Sequence, residues 1–343
     1  MRRLAMNQSY YTPYYSPMYT PPSPQDTERK LLRSAAGFVG LLMLLLSATM
    51  QFTYVVVVLL LSYIGFLPSG AVTQEQLGLD NTTYLLIYAG IYTLAMGLPL
   101  LLVLGRRRLF QQTFEKVPLK GSVGFLAVLG AVGGCMGANI ITSILMTMLE
   151  NWNIPMPEMP DMMEQTPTSL LLNVVVIAVL PAVLEELVFR GCVLRVLRPF
   201  GDGFALVVSA VLFGLMHGNI RQIPFAVIVG MILGWLYVAT NSIWWPMAVH
   251  FINNALSVCM DYLSYGMNDD RTAIFFGGII YGLALVGALA FLILLFVRGS
   301  QCRITRRNTY LSTSDKMSVT LSAPAFIISL IVFIVLTGLE LMV

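Results

Sequence analysis

Three stretches of this chain carry almost no charge over lengths that match a membrane crossing. No Asp, Glu, Lys, Arg or His lies between Lys120 and Glu150 or between Arg271 and Arg298. From Arg221 to Asp261 the only ionisable side chain other than Tyr and Cys is one histidine. Roughly 20 apolar residues span the hydrocarbon core of a bilayer. Backbone groups in lipid must find partners within the chain, so such runs fold as helices. The runs are continuous rather than alternating, which excludes a membrane β-barrel. Composition agrees: 57% of the 343 residues are hydrophobic and 11% charged, against roughly 25% charged in a soluble domain. A water-soluble globule, a disordered chain and a disulfide scaffold are excluded. The net charge of +3 leaves no nucleic-acid footprint. Cys135, Cys192, Cys259 and Cys302 are scattered, without ligand spacing.

The expected fold is an all-α polytopic membrane protein with about nine transmembrane helices, or eight. The apolar segments run over about 35–67, 83–105, 121–149, 169–197, 204–217, 223–240, 243–265, 273–297 and 323–343. Residues 1–34 read as a disordered cytosolic arm, because Tyr10 to Pro24 is a Tyr/Pro run without apolar periodicity. Residues 35–168 then hold N-terminal membrane helices. A core follows over 169–265, and C-terminal helices with a basic cytosolic loop occupy 266–343. With the N-terminus in the cytosol, 18 of the 20 Lys and Arg residues fall on one side, and only Arg221 and Arg271 fall outside. This predicts a multi-pass protein of the cell membrane with a cytosolic N-terminus. Glu150, Glu158, Asp161 and Glu164 suit an external loop, and Asn81-Thr82-Thr83 has the form of a glycosylation acceptor.

Ionisable groups inside a membrane are costly to bury, so they are candidates for function. Here they cluster in three places. One segment holds Glu185, Glu186 and Arg190; the next holds Phe213 and His217; a third holds His250, Asn253 and Asn254. Both histidines of the chain belong to this set. Glu186 and Arg190 are four apart and can pair on one helix face. Glu185 points about 100° away, free for another task. Pro181 removes a backbone hydrogen bond four residues earlier and can kink the helix. Phe213 shares a face with His217, and His250 shares one with Asn254, which could orient the imidazole or donate to a substrate oxygen. Counted from their cytosolic ends, the three groups lie at similar depths.

Two His and one Glu form a known zinc ligand set with an open fourth position. The same groups also work without metal, with Glu as general base and His and Asn stabilising an oxyanion. The HExxH pattern of soluble zinc proteases is absent. Taken in order on successive helices, EExxxR, FxxxH and HxxxN resemble the CPBP intramembrane protease family. That family includes type II CAAX prenyl endoproteases and bacterial proteins linked to bacteriocin processing or immunity.

The resemblance implies an intramembrane endopeptidase acting on a peptide or lipid-modified protein substrate at the bilayer. It implies that Glu185 and His217 activate water and that His250 and Asn254 hold the oxyanion. Glu186, Arg190, Phe213 and Asn253 would shape the site. If a divalent metal such as zinc is the cofactor, Glu185, His217 and His250 are its ligands. Two other classes remain open on the sequence. One is a non-catalytic immunity or scaffold protein that binds without cleaving. The other is a proton-coupled transporter, which would be marked by inverted repeats; none is recognisable here.

Overall fold

A computed structural model describes residues 23–68, 70–71, 75–104, 121–154, 164–264, 270–298 and 308–341. Most of the described residues are helical, and no strand occurs among them. The helices are α1 (Pro24–Tyr63), α2 (Asn81–Leu104), α3 (Gly121–Asn151), α4 (Pro167–Phe200), α5 (Asp202–Met216), α6 (Ile223–Thr240), α7 (Trp244–Ser264) and α8 (Asp270–Arg298). The chain ends with α9 (Thr313–Leu321) and α10 (Pro324–Glu340), which form one element bent by 80°. The protein is an all-α polytopic membrane protein, with a helix at each of the nine apolar segments.

Six of these helices are individually long and apolar enough to cross a membrane, and the bent pair makes a seventh. α5 falls short at 15 residues. α7 has the length but carries His250, Asn253, Asn254 and Asp261. The two remaining helices are thus a short one and one that bears site residues.

The start of α1 corrects the expected boundary of the N-terminal arm. The helix begins at Pro24 rather than near residue 35, so residues 24–34 are helix. Local chemistry explains this. The Ser23 hydroxyl accepts from the Asp26 amide, Pro24 takes the first helical position, and Asp26 lies in the first turn. At 40 residues, α1 is about 60 Å long at 1.5 Å per residue, so its charged turns extend past the hydrocarbon. The Tyr/Pro run up to residue 22, the basic loop at 105–120 and the acidic residues Glu158 and Asp161 lie outside the described residues.

Polar contacts mark the two ends of the bundle. At one end Arg29 pairs with Asp315 (3.3 Å), Arg33 donates to the Ser322 hydroxyl (3.0 Å), and Arg198 joins Asp202 (3.0 Å) to Asn241 (2.8 Å). The Ser312 hydroxyl and Arg29 hold the Asp315 carboxyl below its usual range. At the other end Arg221 pairs with Glu150 (3.0 Å), Asn219 donates to Glu340 (2.9 Å), and Asn81 donates to Ser169 (3.2 Å). The first set joins the start of α1 to α9 and, separately, the α4–α5 turn to the α6–α7 turn. The second joins the ends of α3 and α10 to the α5–α6 turn, and the starts of α2 and α4 to each other. This is the alternation that successive antiparallel helices produce. It also disposes of the acceptor sequon, because Asn81 is buried with its amide engaged.

Close helix contact occurs where side chains are absent. Gly133 of α3 and Gly287 of α8 meet backbone to backbone, so a Cβ on either would collide with the other. Small residues serve this purpose between membrane helices. Gly137, one turn along α3, has open space around its Cβ position. Gly133→Leu is expected to destabilise the protein by about 1–3 kcal/mol or more through overpacking, and Gly137→Leu to leave the detergent melting temperature nearly unchanged. Equal melting shifts for the two variants would refute this packing.

Candidate active site

The site is built around α4, which is not a uniform helix. Its α-helical turns at Leu180–Val188 lie between wide π-helical turns at Val174–Val179 and Phe189–Leu194. Such turns mark functional positions in many helices. Pro181 supplies the local reason for one irregularity. In an α-helix the Ile177 carbonyl would accept from the amide of residue 181, and proline has none. That carbonyl instead accepts from the Asn254 side-chain amide on α7 (3.0 Å). The Asn254 oxygen in turn accepts from Asn253 (3.0 Å). The amide pair therefore ties α7 to the proline step of α4, and Asn254 does not bond to His250.

Glu185 and Glu186 are both buried on this middle stretch. Glu186 is fully buried, and its Oε1 accepts from Arg190 Nη1 at 2.6 Å. The four-residue spacing pairs them as expected. The same oxygen lies 3.0 Å from His250 Nδ1. A carboxylate accepts, so that nitrogen carries the proton and neutral His250 presents a lone pair at Nε2. Arg190 also donates to the Gly230 carbonyl of α6 (3.2 Å) and lies 4.6 Å from the centre of the Phe213 ring. A Cβ on Gly230 would meet Ala210 at 3.1 Å; the bare backbone keeps α6 close to α5 there.

Glu185 has different partners. Its Oε1 accepts from the Tyr92 hydroxyl of α2 at 2.6 Å. Its Oε2 is buried without a hydrogen-bond partner, 3.9 Å from His250 Nε2. Three further buried atoms near it also lack partners: Glu186 Oε2, Arg190 Nε and Asn253 Oδ1. An unpaired buried polar atom costs about 1–3 kcal/mol. Several gathered in one place call for an explanation beyond packing.

His217 joins the group through an aromatic ring. It caps the C-terminus of α5, and its Nδ1 bonds the Phe213 carbonyl (2.9 Å), which leaves Nε2 as the open nitrogen. Phe213 meets His217 edge-on at 5.1 Å and His250 at 6.0 Å between ring centres. One phenyl ring thus meets both imidazoles and also takes the Arg190 guanidinium.

The structure links Glu185, Glu186, Arg190 and His250 through contacts of 2.6–3.9 Å, and Phe213 meets Arg190, His250 and His217. Asn253 and Asn254 stand one turn along α7 from His250, bound to α4. Among the described residues no three His, Cys, Asp or Glu side chains are arranged to hold a metal ion. As placed, Glu185, His217 and His250 do not form the ligand set that zinc would require. Tyr92 escaped the sequence reading because α2 contains none of the three motifs. A signal existed nonetheless. Tyr84, Tyr88 and Tyr92 repeat every four residues, and their rings stack along one face at 6.4 and 6.1 Å.

The fold and these groups define a helical membrane protein with a buried acid–imidazole centre. Comparison with known proteins falls on the same stretch. Residues 167–256 match the family model described as type II CAAX prenyl endopeptidase Rce1-like. The chain is also similar to the "Putative membrane peptidase YdiL" of Bacillus subtilis (strain 168), with 29% identity over 90 residues. That alignment covers 26% of this chain and 37% of the relative. No solved structure matches the chain. All seven motif residues of the EExxxR, FxxxH and HxxxN set lie inside the matched segment, and Tyr92 lies outside it.

The Glu186–Arg190 pair can be tested by substitution. Glu186→Ala leaves a buried guanidinium unpaired, a loss of about 3–5 kcal/mol. Arg190→Ala strands the acid in the same way. The double variant is expected to recover part of that stability, which a double-mutant cycle on thermal unfolding in detergent would report as coupling. Additive losses would refute the pair.

Proposed function

We propose that this chain is an intramembrane endopeptidase that hydrolyses a peptide bond in a membrane-associated peptide or protein, lipid-modified proteins included. The observation that carries the reading is the Glu185 carboxylate. It is buried, tethered through Oε1, and has an unpartnered Oε2 facing the open nitrogen of His250. The match of residues 167–256 to the Rce1-like model supports the same chemistry.

The reaction follows from these groups. Glu185 Oε2 takes a proton from water, and the water oxygen adds to the scissile carbonyl carbon. His217, with Nδ1 anchored and Nε2 open, assists that water. His250 carries a proton on Nε2 when it is the imidazolium, with Glu186 at Nδ1, and then donates to the developing oxyanion. An Asn254 amide hydrogen not used on Ile177 is a second donor. The proton held by Glu185 passes to the leaving nitrogen, the C–N bond breaks, and an acid and an amine are released. Glu186 and Arg190 hold His250, and Phe213 keeps the imidazoles dry.

A divalent metal at Glu185, His217 and His250 would need these side chains to converge further, so the steps above use none. Cleavage that survives exhaustive chelation is the expected result. The cytosolic N-terminus follows from the distribution of Lys and Arg. A cysteine placed at Ser23 should label from the cytosolic face and one at Trp152 from the opposite face.

Replacing Glu185 with Gln keeps the shape and removes the base. Cleavage of membrane-associated peptides by the purified protein should fall by several orders of magnitude in Glu185→Gln, with folding retained. Normal turnover by this variant would exclude the reading. Binding of a peptide partner without any cleavage would favour a scaffold.

A further inference from the structure

Glu185 acquires its orientation from a helix outside the segment that matches the endopeptidase model. Tyr92 sits on α2 at the inner end of the Tyr84–Tyr88–Tyr92 stack. It is 6% exposed, and its hydroxyl donates to Glu185 Oε1 at 2.6 Å, the length of a charge-assisted bond. A carboxylate on a long side chain rotates broadly about its last torsion. Fixing one oxygen therefore fixes the other. With Oε1 bound, Oε2 stands 3.9 Å from His250 Nε2 with no other partner. His250 is held from its far nitrogen by Glu186. The two facing atoms are thus each set by a tether on the opposite side of their own group.

We propose that Tyr92 is a positioning residue: its phenol holds the Glu185 carboxylate so that Oε2 faces His250 and the scissile bond. The stacked rings of Tyr88 and Tyr84 fix the phenol in turn. A tyrosine kept only for packing would need just its ring, and phenylalanine would serve. In lipid the hydroxyl also needs an acceptor, and the acceptor it has is the proposed base. This inference rests on the reading of Glu185 as general base.

The test uses the full-length purified protein and Tyr92→Phe, which keeps the ring and its stacking. Losing a hydrogen bond to a charged group is expected to lower kcat about ten- to hundredfold, with KM within about twofold. The effect should vanish in the Glu185→Gln background, where no base remains to be positioned. Unchanged kcat in Tyr92→Phe, or an equal loss in both backgrounds, would overturn the proposal. A thermal-unfolding cycle of Tyr92→Phe with Glu185→Gln reads the tether without any cleavage assay. Non-additive melting shifts are expected, and additivity would overturn the contact. If wild type shows no Glu185-dependent cleavage, the peptidase reading fails and the positioning role fails with it. Coupling in the cycle would then leave the tether as structural only.

Discussion

A guanidinium and a carboxylate buried together set the terms for the rest of the bundle. Glu186 and Arg190 are 0% and 1% exposed in a chain whose surroundings are lipid. Neither charge could stand there alone, because an isolated ion in hydrocarbon costs far more than a folded protein has to spare. Each is neutralised by the other, and every further contact of the pair recruits another helix. Arg190 reaches α6 through the Gly230 carbonyl and α5 through the Phe213 ring. Glu186 reaches α7 through His250. Four helices thus converge on one ion pair, and the site is a consequence of satisfying it.

Upstream of that pair, α4 departs from regular geometry. Pro181 leaves the Ile177 carbonyl without its helical donor, and Asn254 supplies one from α7. Asn254 stands four residues after His250, one turn along α7. Membrane helices bind one another weakly through apolar surfaces, since lipid is equally apolar. Polar ties of this kind fix the register of α7 against α4. The register then brings His250 to the two glutamates. The irregular backbone and the chemistry are therefore linked: the proline that disturbs α4 also creates the acceptor that positions the imidazole.

Much of this was legible in the sequence, for physical reasons that can be traced. Continuous apolar runs located every helix among the described residues except α9, because lipid admits few other solutions. The spacing of Glu186 and Arg190 foretold their bond, because residues four apart are neighbours on any α-helix. The ends were less legible. The start of α1 depends on a Ser23 cap and Pro24, which the Tyr/Pro run before them obscured. Contacts between distant helices were not legible at all. Nothing local pairs Tyr92 with Glu185, 93 residues apart, or places Glu186 rather than Asn254 at His250 Nδ1. The tyrosine period on α2 showed which face would be special, but not what it would meet.

The two short helices bear on how a histidine enters the membrane interior. α5 has 15 residues and α6 has 18, so at 1.5 Å per residue α5 rises only about 22 Å. The hydrocarbon core is about 30 Å thick. A helix of that length, starting at the membrane end where Arg198 pairs with Asp202, stops short of the far side. Its last residue, Met216, is followed by the turn that opens on His217. Here His217 Nδ1 bonds back to the Phe213 carbonyl, and Arg221 of the same turn pairs with Glu150 of α3. The truncated helix thus does what a full-length span could not. It delivers an imidazole with one open nitrogen to the Phe213 ring, which His250 also meets edge-on.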